Sequence, residues 1–357
     1  MKILYVASDT TAVGGIQQYN RKFLDCLRAR KEDVTLVELQ GDGALSRAKF
    51  IFKVFFESVR KMPDVIICAH INYAPLGFAM KRLFRRNYIV CTHGIDVWDI
   101  KSSLQLKALR EAKLITTVAE YTRDRIVDQL PEVRERIYLL YNPVDGDRFV
   151  PSRKPPSLAK RLGVAKKKVI FTVARLSAIE GYKGYDRVIQ AMPKVLAAVP
   201  EAFYVLGGAG DDAPRVHALI EGTGLRDSVR MVGYIPDEEI VNYYNLADVF
   251  IMPSKAEGAP AVFVEALACG VPVIAGNQDG SATPLLHGEV GLLIDPDNIN
   301  EISRAIIRVL TGKVRKNLRD RAFLRRKVLG TFGLDHFPGR VDDVLRIVSS
   351  GSVGASC

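Results

Sequence analysis

Residues 253–275 read PSKAEGAPAVFVEALACGVPVIA, and the order of their parts decides the fold. The stretch begins at the end of an apolar run, DVFIMPS (248–254), whose lack of polar alternation predicts a strand buried on both faces. A loop of Glu257, Gly258, Ala259 and Pro260 follows, and helical spacing starts near Ala261. Another apolar run, VPVIAGN (271–277), comes next. Strand, loop, helix and strand in this order form the repeating unit of a parallel α/β sheet. Such sheets bind ligands beyond the carboxyl ends of their strands, where a helix N-terminus offers unpaired N–H groups.

The same alternation extends in both directions. Upstream runs are KILYVAS (2–8), VTLVEL (34–39), DVIICAH (64–70), NYIVCTHG (87–94), LITTVAE (114–120) and IYLLYNP (137–143). After residue 168 come VIFTVARL (169–176), AFYVLGGAG (202–210) and SVRMVGY (228–234), each followed by a helical pattern. Between the two sets lies PSRKPPSLAKRLGVAKKK (151–168), which is Pro-rich, basic and poor in large apolar residues, as a linker would be. The expected fold is α/β: two doubly wound, Rossmann-like domains facing a central cleft. The expected domains are residues 1–155 and 156–330, with 331–357 forming a C-terminal helix that packs back on the first domain, then a frayed tail, SSGSVGASC (349–357).

The 357 residues agree with two domains, and 48% hydrophobic content excludes a disordered chain. No run reaches the ~18 apolar residues of a membrane span. MKILYVASDT reads as a core strand and not as a signal peptide. The five cysteines are scattered without CxxC spacing, which points to a reducing, cytoplasmic setting and away from zinc. The charge of +11 leaves three partners open: nucleic acid, an anionic membrane face or phosphorylated ligands.

Glu257 and Glu265, eight residues apart, would repel a diphosphate and so suit sugar and ribose hydroxyls. The cations come from Arg175, at the end of VIFTVARL, and Lys183, in the loop EGYKG (180–184). Asp145-Gly146-Asp147 matches a metal-binding Asp-x-Asp pattern but sits in a Pro- and Gly-containing turn, so no metal is expected.

Three stretches in order, VARLSAIEGYKGYDRVIQA (173–191), VRMVGYIPDEEIVNYYNLADVFIMPS (229–254) and the Glu257-x7-Glu265 segment, resemble family 4 retaining glycosyltransferases of the bacterial surface-glycan type. The resemblance implies the GT-B fold and transfer of a hexose (mannose, glucose or galactose type) from a nucleoside diphosphate sugar, without cofactor or metal. By this resemblance Glu257, Arg175, Lys183 and His93 are the catalytic group. Gly14, Gly15, Arg175, Lys183, Glu257, Gly258, Ala259, Pro260 and Glu265 then bind the donor. Gly14 and Gly15 lie in TAVGGIQQYN (11–20), similar to the family's Gly-Gly turn, and THGIDVW (92–98) resembles its His-Gly motif, placing His93 beside the transferred sugar. The chain departs from the family pattern at Gly258-Ala259-Pro260, where Gly-Phe-Gly is common, and at Thr283, where many members carry glutamate. Both positions touch the donor pocket and leave the sugar open.

The segment SRAKFIFKVFFESVRKM (46–62) reads as an ordinary core-packing helix or as one that lies on an anionic membrane. KRLFRRN (81–87) adds a second basic patch, and both suit a lipid-linked glycan acceptor at the inner face of the cell membrane. A nucleotide-sugar epimerase or a phosphorylase would occupy the same architecture. The epimerase would turn over donor without acceptor, and the phosphorylase would require a Schiff-base lysine and a longer chain. A nucleic-acid-binding protein is disfavoured, because aromatic and basic residues do not interleave.

Overall fold

The computed structural model describes residues 1–12 and 14–350. The chain divides into two compact units, Met1–Pro143 together with the segment from Asp335 onward, and Val144–Leu334.

In the first unit the strands are β1 (Lys2–Ser8), β2 (Asp33–Leu39), β3 (Val65–Cys68), β4 (Asn87–Thr92), β5 (Leu114–Thr117) and β6 (Ile137–Leu139). They pair in parallel in the order β2-β1-β3-β4-β5-β6. Central strands are buried on both faces, as their unbroken apolar runs require, whereas the edge strands β2 and β6 are partly exposed. Leu4, Ile66, Val90 and Ile115 anchor the core between sheet and helices. Each such fully buried aliphatic side chain contributes about 1.5–3 kcal/mol. The last helix, Phe337–Ser350, returns to this unit, where Phe337 stacks edge-on against Tyr19 and Phe23 of helix Gly15–Ala29. The tail expected over residues 349–357 lies outside the described residues beyond Ser350.

The second unit repeats the plan with β7 (Lys168–Val173), β8 (Ala202–Gly207), β9 (Val229–Gly233), β10 (Val249–Met252), β11 (Val273–Gly276) and β12 (Gly291–Ile294), in the order β12-β11-β10-β7-β8-β9. Eleven of the twelve strands coincide with apolar runs quoted above. The twelfth, GLLI, has a single β-branched residue and does not stand out.

Residues 151–168 are not a free linker. Asn245 accepts the Ser152 N–H at 2.6 Å and donates to the Val150 carbonyl at 3.0 Å, while Lys154 pairs with Asp248 at 2.5 Å. Leu158 and Ala159 of helix Pro156–Arg161 are buried, so the stretch belongs to the second unit and the chain crosses between units at Pro143. The basic residues after 313 have similar employment: Arg321 donates to the Ser152 and Cys269 carbonyls, and Arg325 to those of Gly146 and Ala268.

Helix Ala44–Lys61 buries only Phe50, Val54 and Ser58, a stripe one residue wide at a spacing of four. Its other apolar residues face solvent, with Phe52 68% and Phe56 49% exposed and their rings stacked at 6.3 Å. Ile51, Phe55, Val59 and nearby Leu83 extend this exposed surface. A core-packing helix would turn these residues inward, and this one does not.

Candidate functional site

Strand order locates the site in the second unit. β7 is followed by β8 and β9 on one side, and the chain then returns to place β10, β11 and β12 on the other. The reversal opens a crevice between the carboxyl ends of β7 and β10, where the loops diverge. Arg175 follows β7, and the loop of Glu257 follows β10.

Lys183 reaches the same place because Gly184 lets the chain turn tightly. Gly184 has φ +73°, and a Cβ there would stand 2.3 Å from the Pro253 carbonyl oxygen, so only glycine fits. The Lys255 N–H donates to the Tyr182 carbonyl at 3.0 Å, tying the two loops together. Lys183 Nζ then donates to Glu257 Oε1 at 2.6 Å. Glu180, which sequence reasoning passed over, accepts from Arg175 and lies 3.7 Å from Lys183. Two cations and two carboxylates therefore form one chain of ion pairs, Arg175 72% exposed and Glu180 only 13%. Such a group can hand its cations from carboxylate to phosphate oxygens, because both accept charge-assisted hydrogen bonds and the exchange leaves no cation unpaired.

Pro260 caps helix Ala261–Ala268. Glu265 lies in the second turn of that helix and accepts the Tyr244 hydroxyl at 2.7 Å. Burial, followed by the charge of Glu265, pushes the Tyr244 phenol well above its usual range and keeps it a donor. Behind the loop stands a second residue missed in the sequence, Asp279. It is buried, which raises its carboxyl, while hydrogen bonds from Ser281, Ser254 and the Glu257 amide pull the other way. Asp279 sits in a Gln-Asp-Gly-Ser run that reads as a turn by default, so only the tertiary contact identifies it.

In the first unit the reversal lies between β1 and β3. Gly14 and Gly15 open helix Gly15–Ala29 beyond β1; the Gly14 backbone is extended and its carbonyl accepts the Gln18 N–H at 3.0 Å. At the ends of β3 and β4, His93 Nε2 bonds the Ala69 carbonyl at 2.9 Å, which makes Nε2 the protonated nitrogen. Asp96 accepts from the His93 and Gly94 amides at 3.0 and 2.6 Å and faces His70 Nε2 at 3.8 Å. Burial pushes His93 down to about 4, so its ring is neutral at physiological pH and acts as a hydrogen-bonding group and not as a cation. Burial also lowers His70 and raises Asp96.

Asp145 is occupied as a turn cap, its Oδ1 accepting the Asp147 and Arg148 amides at 2.9 and 3.1 Å. Among the described residues no three His, Cys, Asp or Glu side chains lie close enough to hold a metal ion, and no helix is long and apolar enough to cross a membrane.

Two family models match, one described as Glycosyl transferases group 1 over residues 156–325 and the other as Glycosyltransferase Family 4 over residues 13–148. The chain belongs to glycosyltransferase family 4. A GDP-mannose-dependent alpha-(1-6)-phosphatidylinositol monomannoside mannosyltransferase of Mycolicibacterium smegmatis is 30% identical over 245 residues, 65% of this chain and 63% of that enzyme. A Mycobacterium tuberculosis enzyme of the same description is 30% identical, over 64% of this chain and 61% of its own length. The match thus spans less than two thirds of these relatives. Among solved structures, Anabaena Alr3699/HepE in complex with UDP superposes with TM-score 0.77 at 22% identity, over 97% of this chain and 99% of that one. Sucrose-phosphate synthase from Thermosynechococcus elongatus gives 0.81 at 20% identity, over 99% and 100%. At such identities the likeness is one of fold, and the fold of this family 4 glycosyltransferase is GT-B.

Proposed function

We propose that the chain is a retaining, metal-independent hexosyltransferase that moves a sugar from a nucleoside diphosphate donor to a hydroxyl of a lipid-linked surface glycan. The observation that carries this reading is the Lys183–Glu257 contact at 2.6 Å in the crevice between β7 and β10. A cation for phosphate and a carboxylate for sugar hydroxyls stand there side by side, as a sugar diphosphate requires. Arg175 and Lys183 hold the diphosphate, Glu257 the hexose and Glu265 the ribose. The second unit is then the donor unit and the first the acceptor unit, with Gly14, Gly15 and His93 contributing from its sheet edge. No protein nucleophile is required if a donor phosphate oxygen takes the acceptor proton on the face that the leaving group occupies. The protein's part is positioning and stabilisation of charge on the departing phosphate.

Two observations support a lipid-linked acceptor. The M. smegmatis relative is described as acting on a phosphatidylinositol mannoside. The exposed phenylalanines of helix Ala44–Lys61 lie among Arg47, Lys49, Lys53, Arg60 and Lys61, and KRLFRRN (81–87) flanks them through the Phe55–Phe84 ring contact at 5.4 Å. An apolar face ringed by cations suits the inner, anionic surface of a cell membrane.

Thermal shift against GDP, UDP and their hexose conjugates tests the donor, because a bound ligand raises apparent stability by mass action. Stabilisation by at least one nucleotide sugar is expected, and transfer to a lipid-extracted acceptor should persist in EDTA. No response to any sugar nucleotide would overturn the reading, and loss of transfer in EDTA with recovery in manganese would overturn its metal-free part. Donor turnover without acceptor would instead indicate an epimerase. Flotation with phosphatidylglycerol vesicles should exceed flotation with phosphatidylcholine vesicles; equal binding would remove the membrane component.

A further inference from the structure

The residue that sets the position of Glu257 is not on its own loop. Asp279 lies beyond β11, and its Oδ2 accepts both the Glu257 amide at 2.8 Å and the Ser254 hydroxyl at 2.7 Å. Its Oδ1 accepts the Ser281 amide at 2.9 Å, and the Ser254 and Ser281 hydroxyls meet at 3.2 Å. The Gly280 amide returns a bond to the Glu257 carbonyl at 2.8 Å. A Cβ on Gly280 would stand 1.7 Å from the Gly258 carbonyl oxygen, so backbone rests directly on backbone. The loops after β10 and β11 are therefore joined on both sides of Glu257. Asp279 is 2% exposed, and every bond it accepts comes from one of these two loops.

We infer that Asp279 is a positioning residue for donor-sugar recognition, holding the Glu257 loop at the height where its carboxylate meets the hexose hydroxyls. The inference rests on the proposed donor site. A carboxylate suits this place better than an amide, because its two oxygens accept from three donors on opposite sides. Asparagine must turn its NH₂ toward one of them, leaving a buried N–H facing a donor. Neither Arg175 nor Lys183 bonds Asp279, and the Lys183 loop is fixed at Tyr182 by the Lys255 amide, so displacement of the Glu257 backbone should weaken recognition of the sugar more than recognition of the diphosphate.

The test compares Asp279→Asn with the unaltered protein in titrations of free GDP and UDP and of the corresponding hexose conjugates. Expected is loss of most of the preference for conjugate over free nucleotide, about tenfold, with affinity for the free nucleotide held within about threefold, and kcat/KM for donor reduced accordingly. Equal loss for both ligands, or no loss, would overturn the positioning role while leaving the donor site standing. Failure of the unaltered protein to bind any conjugate would instead overturn the donor site itself. Ser254→Ala removes one donor and keeps Asp279, so it serves if Asp279→Asn does not fold. It should lower the same preference by a smaller factor, and an unchanged preference in a folded Ser254→Ala protein would overturn the inference.

Discussion

The carboxyl edges of the two sheets occupy the same topological place and carry opposite chemistry. In the second unit the edge presents Arg175, Glu180, Lys183 and Glu257, a chain of ion pairs whose outermost member is largely exposed. In the first unit it presents His70, His93 and Asp96, drawn into the structure and bonded to backbone groups. One fold thus supports an edge of paired charges and another whose polar groups are satisfied by backbone. The difference arises in the loops: a Lys-Gly turn thrusts a cation over the crevice, whereas Thr-His-Gly-Ile-Asp folds its carboxylate back onto its own amides.

The comparison can be broken at its ionic side first. Lys183→Ala should reduce transfer about 10²–10³-fold, as removal of one preorganised donor to a developing anion does, with the melting temperature little changed. Arg175→Ala should cost less, because that side chain is exposed and partly hydrated before ligand arrives. Full activity in both variants, measured as sugar transfer, would mean that the ionic edge is not the donor site.

Glu180→Gln sharpens it in the other direction. Removing the carboxylate that competes for Arg175 and Lys183 should tighten free nucleotide binding about three- to tenfold by calorimetric titration; weaker binding would show that Glu180 positions the cations and does not compete for them.

The neutral side yields an effect on stability and not on transfer, a dependence on pH. His93 falls to about 4 in the folded protein from an ordinary 6.5, so the unfolded chain binds the extra proton first. Its contribution to stability is full above 6.5 and is lost as pH falls toward 4, amounting to about 3 kcal/mol over the full range. His70 shifts in the same direction, while Asp96, raised by burial, contributes with the opposite sign. Comparing denaturant midpoints of His93→Gln and the unaltered protein from pH 7 to pH 4.5 isolates the single group. The variant should lose less stability over that range, and parallel curves would refute the shift.

Much of this was legible in residue order. Apolar runs without polar alternation marked eleven strands, because a sheet covered on both faces tolerates nothing else. Arg175, Lys183, Glu257 and Glu265 stood out because strand ends and helix starts are where a parallel sheet exposes side chains to a ligand. Residues 151–168 misled: prolines and lysines suggest a linker, yet Asn245, ninety-odd positions away, holds the segment by its backbone. Helix Ala44–Lys61 stayed open between a core and a surface reading, since its apolar content fits both and only packing reveals how narrow its buried stripe is.

What the sequence by itself determined is the period and direction of the chain: two parallel sheets, their helices, and the cations and carboxylates at the carboxyl ends. These follow from local spacing, which acts over a few residues. Tertiary structure alone decided which partners those charges hold. Asp279 beneath Glu257 and Lys183 against Glu257 owe their roles to loops brought together by strand order, whereas Glu180 and Asp96 find their partners where their own loops fold back. A side chain's charge is local, but its hydrogen-bond partners are set by whatever the fold places within about 3 Å.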